Sequence, residues 1–295
     1  MQKILSHENA IGGGQNRYKQ HFHKQSCLCD YPQNQIESEN LHYLKSQKYP
    51  AFIVSFTSFP QRIRFVKYGI LSILAQSIKP QKIVLYLSIL EFPKQAKNLP
   101  LTLRFLWYLG LIDIIFVQDN FLAYKKLIFA LKDFPKSIII TIDDDQFYAP
   151  NTLEILLDSY IKFPNAIHAH SIYDDLFLEC SFNISANKPQ LYYRALGVGG
   201  VLYPPNAFND EVFNASLFMK LAPYGDDLWF HSMAVLNHTK TVLVKNHLNH
   251  PKIQTIKWSE SPNLFDINIK ENLAQSQAIY KAYPQIKKHL LESLI

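Results

Sequence analysis

Three consecutive aspartates, Asp143, Asp144 and Asp145, close a run of apolar and β-branched residues, "SIIITI" at 137–142. Adjacent ionised carboxylates repel one another unless they share a cation. A divalent ion held by one or two carboxylates and by substrate phosphates is the usual magnesium or manganese arrangement. Such an ion offsets the charge that builds on a phosphate leaving group. The triplet therefore predicts a metal–diphosphate site. A second acidic pair, Asp226 and Asp227, opens the helical pattern "GDDLWFHSMAVLN" at 225–237. Carboxylates suit a helix N-terminus through the dipole alone. An acid apart from the metal site is also what a displacement reaction uses as its general base. Ahead of it, the "GVGG" stretch with Gly197, Gly199 and Gly200 lets backbone approach a ligand closely, or else makes a plain tight turn.

Other chemistries fit these residues less well. Haloacid-dehalogenase-like phosphatases carry D-x-D-x-T after an apolar strand near the start of their domain. Here the fifth position is Phe147 and the motif lies mid-chain. Cys27 and Cys29, with His21 and His23 nearby, have the wrong spacing for a zinc knuckle. An odd, sparse set of three cysteines (the third is Cys180) argues against a disulfide framework and for a reducing compartment.

The elements that position these residues follow from periodicity. Short apolar runs at 51–56, 81–89, 111–117 and 137–142 read as buried strands. Helical spacing covers 65–78, the "LPLTLRFLWYL" stretch, 123–134 before Pro135, and 151–163 with Asn151 as its N-cap. This alternation implies an α/β fold with a mostly parallel sheet, helices on its faces and right-handed crossovers. Ligands of such sheets bind beyond the carboxyl ends of the strands, where the three aspartates fall. Further on, 166–172 reads as a strand, 192–205 as a glycine-rich loop flowing into a strand, and 271–295 as a helical tail broken at Pro284. Residues 1–48, rich in Gln, Asn, Ser and His, show no periodicity and read as a poorly ordered polar extension before a domain over 49–270.

Over 295 residues, 48% hydrophobic and 18% charged content allow a sizeable core and exclude global disorder. The net charge of +6 suits a phosphate-bearing partner or an anionic membrane surface. No zinc-finger spacing, RNP-like strand or dense Arg run points to nucleic acid. The window 101–117 carries Arg104, Gly110 and Asp113 and reads as helix, stop and strand rather than a membrane span. The first residues lack an apolar leader. These features predict a cytoplasmic protein. Lys281, Lys287 and Lys288 offer a basic face to the inner leaflet of the cytoplasmic membrane.

Taken in order, "IVSFTSFPQRI", "SILAQSIKPQKIVLYLS", "YKKLIFALKDFP", "IIITIDDDQFYAP", "GVGGVLYPP" and "APYGDDLWFHSMAVLN" resemble bacterial sugar-nucleotide-dependent glycosyltransferases of the GT-A fold, in the neighbourhood of family two. The resemblance runs from about 50 to about 270. It implies a GT-A-like, Rossmann-like domain that moves a sugar from a nucleoside-diphosphate sugar to a hydroxyl of a surface glycan or glycolipid acceptor, in lipopolysaccharide or capsule. The reaction would be inverting and use Mn²⁺ or Mg²⁺. "DDD" is then the DxD motif, with Asp143 and Asp145 framing the metal–diphosphate and Asp144 beside the nucleotide. Thr57, Ser58, Arg62, Asp119 and Lys125 match donor-nucleotide contacts, and Gly199 and Gly200 line the sugar. The acidic pair matches the catalytic acids, Asp227 being the base by position. The family's usual pair is Glu-Asp, so Asp226 stays open for that role. Trp229 would wall the acceptor site. A third metal ligand falls on His247 or His250. Two other classes remain: a non-catalytic carbohydrate-binding protein and a phosphate-ester hydrolase.

Overall fold

The computed structural model describes residues 48–175, 179–180, 188–244, 254–255 and 264–294. By contact, the chain divides into Met1–Lys48 and Tyr49–Ile295. The sequence expectations for 1–47, and those for Cys27, Cys29, His247 and His250, lie outside the described residues.

The strands are β1 (Phe52–Thr57), β2 (Lys82–Ser88), β3 (Asp113–Val117), β4 (Ile138–Thr141), β5 (Gln146–Phe147), β6 (Ile167–Ala169), β7 (Ile172–Asp174), β8 (Glu179–Cys180), β9 (Tyr193–Ala195), β10 (Val201–Tyr203), β11 (Thr241–Leu243) and β12 (Gln254–Thr255). The helices are α1 (Val66–Leu74), α2 (Leu101–Tyr108), α3 (Lys125–Asp133), α4 (Thr152–Lys162), α5 (Ala215–Leu221), α6 (Asp226–Leu236), α7 (Leu264–Ala282) and α8 (Gln285–Glu292). The central sheet has the order β11-β6-β10-β4-β1-β2-β3. Its pairs are parallel, except that β10 runs antiparallel to both β4 and β6. Val54 of β1 stands opposite Ile83 of β2 and Ile140 of β4.

β1 shows why its sequence is apolar but for Ser55, whose hydroxyl donates to Lys126 O, and Thr57 at its end. Phe52, Val54 and Phe56 enter one core with Val66, Ile70 and Ile73 of α1 and Leu153, Leu156 and Leu157 of α4. Ile53 enters the other core, with Leu127 and Ile128 of α3 and Trp229, Phe230 and Met233 of α6. Successive side chains point to opposite faces, and both faces are covered, so no position tolerates a charge. The expected α/β architecture is therefore the observed one: a mostly parallel sheet between helices.

Three local readings need amendment. Asn151 does not cap α4 with its side chain. Gln76 does so instead: its Oε1 accepts from the Leu153 amide at 3.0 Å, while its Nε2 donates to Ala149 O at 2.6 Å. The small sheet β8-β7-β9 had no periodic signal, because its strands are two or three residues long. The C-terminal helix begins earlier than 271 and breaks at Pro284 as expected; Ile279 and Ile286 join the core around Trp229.

Candidate active site

β1, β2, β3, β4 and β6 all point their carboxyl ends to one edge of the sheet. The triplet follows β4 at that edge. Ile142 still bonds Ser55 O through its amide at 3.1 Å, and the chain then leaves the ladder. Tyr148, fully buried, fixes the turn: its Oη accepts from the Asp143 amide at 2.8 Å.

Each aspartate of the triplet meets a different partner. Asp144 is buried and accepts from Ser58 Oγ at 2.5 Å and from Arg62 Nη1 at 2.9 Å. Burial pushes its carboxyl up to about 6 against the opposing pull of Arg62 and Ser58. Asp145 pairs with the same Arg62 Nη1 at 3.0 Å and accepts from Gln146 Nε2 at 2.9 Å. Its carboxyl is raised by burial and then by the charge of Asp143. Asp143 faces a different cation, Lys126 Nζ, at 3.0 Å.

Lys126 joins the two acidic stretches. Its buried ammonium lies 3.0 Å from Asp143 Oδ1 and 3.3 Å from Asp226 Oδ2. Burial by itself would lower this ammonium, but Asp143, Asp226 and Asp227 together hold it well above the usual lysine value. Gly197 makes room for it. A Cβ there would stand 2.9 Å from Lys126 Nζ and 3.5 Å from Asp143 Oδ1. The Gly197 amide donates to Asp227 Oδ2 at 3.1 Å. Asp227, in the first turn of α6, thus keeps one oxygen on the glycine loop. Its carboxyl is raised by burial and by Asp226, with Lys126 and the Gly197 amide pulling the other way. Gly199 and Gly200 take φ of 98° and 93°, the left-handed side that suits glycine, and turn the chain from β9 into β10.

The residues singled out in the sequence divide accordingly. Ser58, Arg62, Asp143, Asp144, Asp145, Asp226, Asp227 and the glycine loop come together. Thr57 stands at the end of β1, but its Oγ1 donates to Tyr86 O at 2.8 Å across the sheet. Lys125 turns to Glu91 Oε2 at 2.7 Å and Asn120 Oδ1 at 2.9 Å. Asp119 is exposed in the turn after β3. Trp229 corrects its expectation. It is fully buried, its Nε1 donates to Val212 O at 3.2 Å, and it packs edge-on against Phe218 and Tyr283. It lies among α6, α5 and the α7–α8 end of the chain and has no face to offer an acceptor.

Lys126 escaped the sequence reading. In "YKK" two lysines stand side by side at the start of a helix, and neighbours on a helix point about 100° apart. Only one can face the triplet, and composition does not say which. The glycine loop held the only other signal, a position where backbone must pass close to a side chain.

Among the described residues no group of three or more His, Cys, Asp and Glu side chains gathers as a full metal cage. The donors present nonetheless suit a hard divalent cation. Asp143 and Asp145 are hard oxygen ligands close enough for the charge of one to raise the other. Magnesium and manganese commonly take one or two carboxylates and complete their shell with substrate phosphates and water.

The mostly parallel sheet flanked by helices, with the candidate site at the strands' carboxyl edge, is an α/β fold that solved structures share. Among solved structures, that of S. aureus TarS residues 1–349 in complex with UDP-GlcNAc superposes with a TM-score of 0.51 at 15% identity, covering 83% of this chain and 72% of that one. The same fragment with UDP gives 0.44 at 12% identity, covering 83% and 71%. A longer TarS structure gives 0.42 at 14% identity, with 66% of this chain matching 36% of its length. No family model matches the sequence, and no curated protein does.

Proposed function

We propose that the protein is a glycosyltransferase moving a sugar from a nucleoside-diphosphate sugar to a hydroxyl of a surface glycan, in lipopolysaccharide or capsule, with inversion. The observation that carries this reading is the Lys126 bridge. It holds a carboxylate-rich turn of the kind that receives a diphosphate beside a separate acid, Asp227, whose raised carboxyl suits a proton acceptor. The shared fold with a protein crystallised with UDP-GlcNAc supports the donor class.

In this mechanism Asp227 takes the proton of the acceptor hydroxyl. The hydroxyl oxygen attacks the anomeric carbon from the face opposite the nucleotide. The bond between that carbon and the diphosphate oxygen breaks, and its electron pair leaves with the nucleoside diphosphate. Gly197 keeps the Asp227 carboxylate turned toward the reacting atoms through its amide. Arg62 holds Asp144 and Asp145 in place, and Ser58 fixes Asp144. Asp143 and Asp145 would hold Mn²⁺ or Mg²⁺, which when bound supplies positive charge for the diphosphate.

The test is a screen of nucleotide sugars with purified protein, with and without Mn²⁺ and with and without a glycan acceptor. Release of nucleoside diphosphate that depends on donor identity and rises with acceptor supports the reading. Saccharide binding with no turnover of any donor would make it a carbohydrate-binding protein. Phosphate release from simple esters with no sugar acceptor would make it a hydrolase.

A further inference from the structure

α2 is an eight-residue helix in which Leu103 alone is buried. Leu101, Phe105, Tyr108 and Leu109 recur at the i, i+4, i+7 and i+8 spacing of one helical face. That face meets solvent: Leu101 is 77% exposed, Phe105 60%, Tyr108 62% and Leu109 50%. Leu111 follows it in the chain, Trp107 borders it while packing on Phe116, and Leu90, 71% exposed, follows β2 at the carboxyl edge of the sheet. Each such side chain offers on the order of 100 Å² of surface, so together they exceed the few hundred Å² of apolar patch that a soluble monomer ordinarily shows.

Within the segment that carries α2 the charges have one sign. Lys94, Lys97 and Arg104 are exposed in the same segment, and between Glu91 and Asp113 there is no acidic residue. The two flanking acids are already engaged. Glu91 pairs with Lys125 at 2.7 Å and Asp113 with Lys82 at 2.6 Å. Leucine, phenylalanine, tryptophan and tyrosine on a short helix bordered by unopposed cations is the composition of an interfacial helix, with apolar side chains among the acyl chains and cations at the headgroups. No helix among the described residues is long and apolar enough to cross a membrane.

We propose that the α2 face, with Leu90 and the cations Lys94, Lys97 and Arg104, is a docking surface for an anionic lipid bilayer. Leu90 follows β2 at the carboxyl edge of the sheet and Leu111 precedes β3 at the opposite edge, so a bilayer seated on this face lies along the flank of the domain. The proposal stands apart from the transferase reading, because it concerns adsorption and not chemistry.

The experiment uses the full chain with phosphatidylcholine–phosphatidylglycerol vesicles and with pure phosphatidylcholine vesicles. Co-sedimentation with the mixed vesicles, weakened by salt and nearly lost with pure phosphatidylcholine, is expected. The double variant L101E/F105E should lower partitioning by about tenfold or more, since each change removes a side chain's burial. Arg104→Gln should lower it roughly fivefold. The pair K287E/K288E, on α8, should leave it within about twofold. Circular dichroism confirms that each variant is folded, and because the changed residues are exposed all should be. Quenching of Trp107 fluorescence by brominated lipid, absent in Trp107→Phe, places the helix at the acyl boundary. No vesicle binding, equal binding to both vesicle types, or loss with K287E/K288E but not L101E/F105E would overturn the proposal. So would a dimer in sedimentation velocity that L101E/F105E turns into a monomer, since the face would then be a self-interface.

Discussion

The acidic triplet and the acidic pair look alike in sequence and are treated differently by the fold. The triplet's charges are met one by one: Arg62 and Ser58 hold Asp144, Arg62 also reaches Asp145, and Lys126 takes Asp143. The pair has only a share of Lys126, through Asp226, and a single backbone amide on Asp227. Burial outweighs the counter-charge in both places: Asp144 is still raised to about 6 and Asp145 is raised, as Asp227 is. What differs is the partner. The triplet at the strand end meets side-chain cations and a hydroxyl, whereas Asp227 at the helix start keeps a backbone amide.

The sharpest way to break the comparison is Asp227→Asn. The amide keeps the Gly197 contact but accepts no proton at neutral pH. Steady-state transfer should fall on the order of 100- to 10,000-fold while donor affinity, measured separately, stays near normal. Asp226→Asn should cost less. The reverse ranking would exchange the two roles, and full activity in both would move the base elsewhere. Stability carries the opposite sign. A carboxyl raised in the folded state binds its proton there more tightly than in the unfolded chain. Its destabilising effect therefore grows as pH rises from the ordinary carboxylate value through the raised one. Asp227→Asn should consequently raise the melting temperature above that window and do little below it. The pH–rate profile of the parent should show an acid limb displaced upward from the ordinary carboxylate range.

Next in size is Lys126→Met. It strips Asp143 and Asp226 of their shared cation while leaving Asp226 buried and Asp143 half-buried. Breaking a buried pair from one side costs about 3–5 kcal/mol, measurable by denaturant unfolding. A loss under about 1 kcal/mol, on the scale of an exposed pair, would show that the bridge is solvent-screened.

Asp145→Asn sharpens the other half of the comparison. It should weaken Mn²⁺-dependent binding of nucleoside diphosphate in calorimetry without altering the fold, because Arg62 still has Asp144. Unchanged metal-dependent affinity would remove Asp145 from the proposed ligands. The smallest effect is expected from deleting residues 1–45, outside both acidic stretches. Their lack of apolar periodicity predicts a melting temperature nearly equal to the full chain's, and loss of soluble folded protein would contradict it.

Much of this arrangement was legible in the sequence where periodicity runs long. β1, β2 and β4, and the helices α1, α3, α4 and α6, lie where apolar spacing puts them, within a few residues. Asp143–Asp145 at a strand end and Asp226–Asp227 at a helix start were legible for the same reason. Partners were not. That Lys126 rather than its neighbour faces the triplet is a question of helical phase, settled by how α3 packs on β1 and β4. That Trp229 turns inward depends on α7 and α8, whose contact with α6 spans about 50 residues of chain. Gln76 caps α4 from 77 residues away, which no local pattern encodes.

The antiparallel insertion of β10 between β4 and β6 has a consequence in time. On a ribosome the chain emerges N-terminus first, at about 5–20 residues per second, and each contact waits for its later partner. Ser58, Arg62 and Lys126 all precede the triplet, so Asp143–Asp145 emerge with their counter-charges already made. The strand that closes the sheet, Val201–Tyr203, and the acids at 226–227 follow roughly 60 to 80 residues later. A nascent chain stalled between these points would hold β1 to β4 and a compensated triplet with an open sheet edge at β4. The expensive charges are thus neutralised early, and the half-made protein's exposed hazard is an unpaired strand.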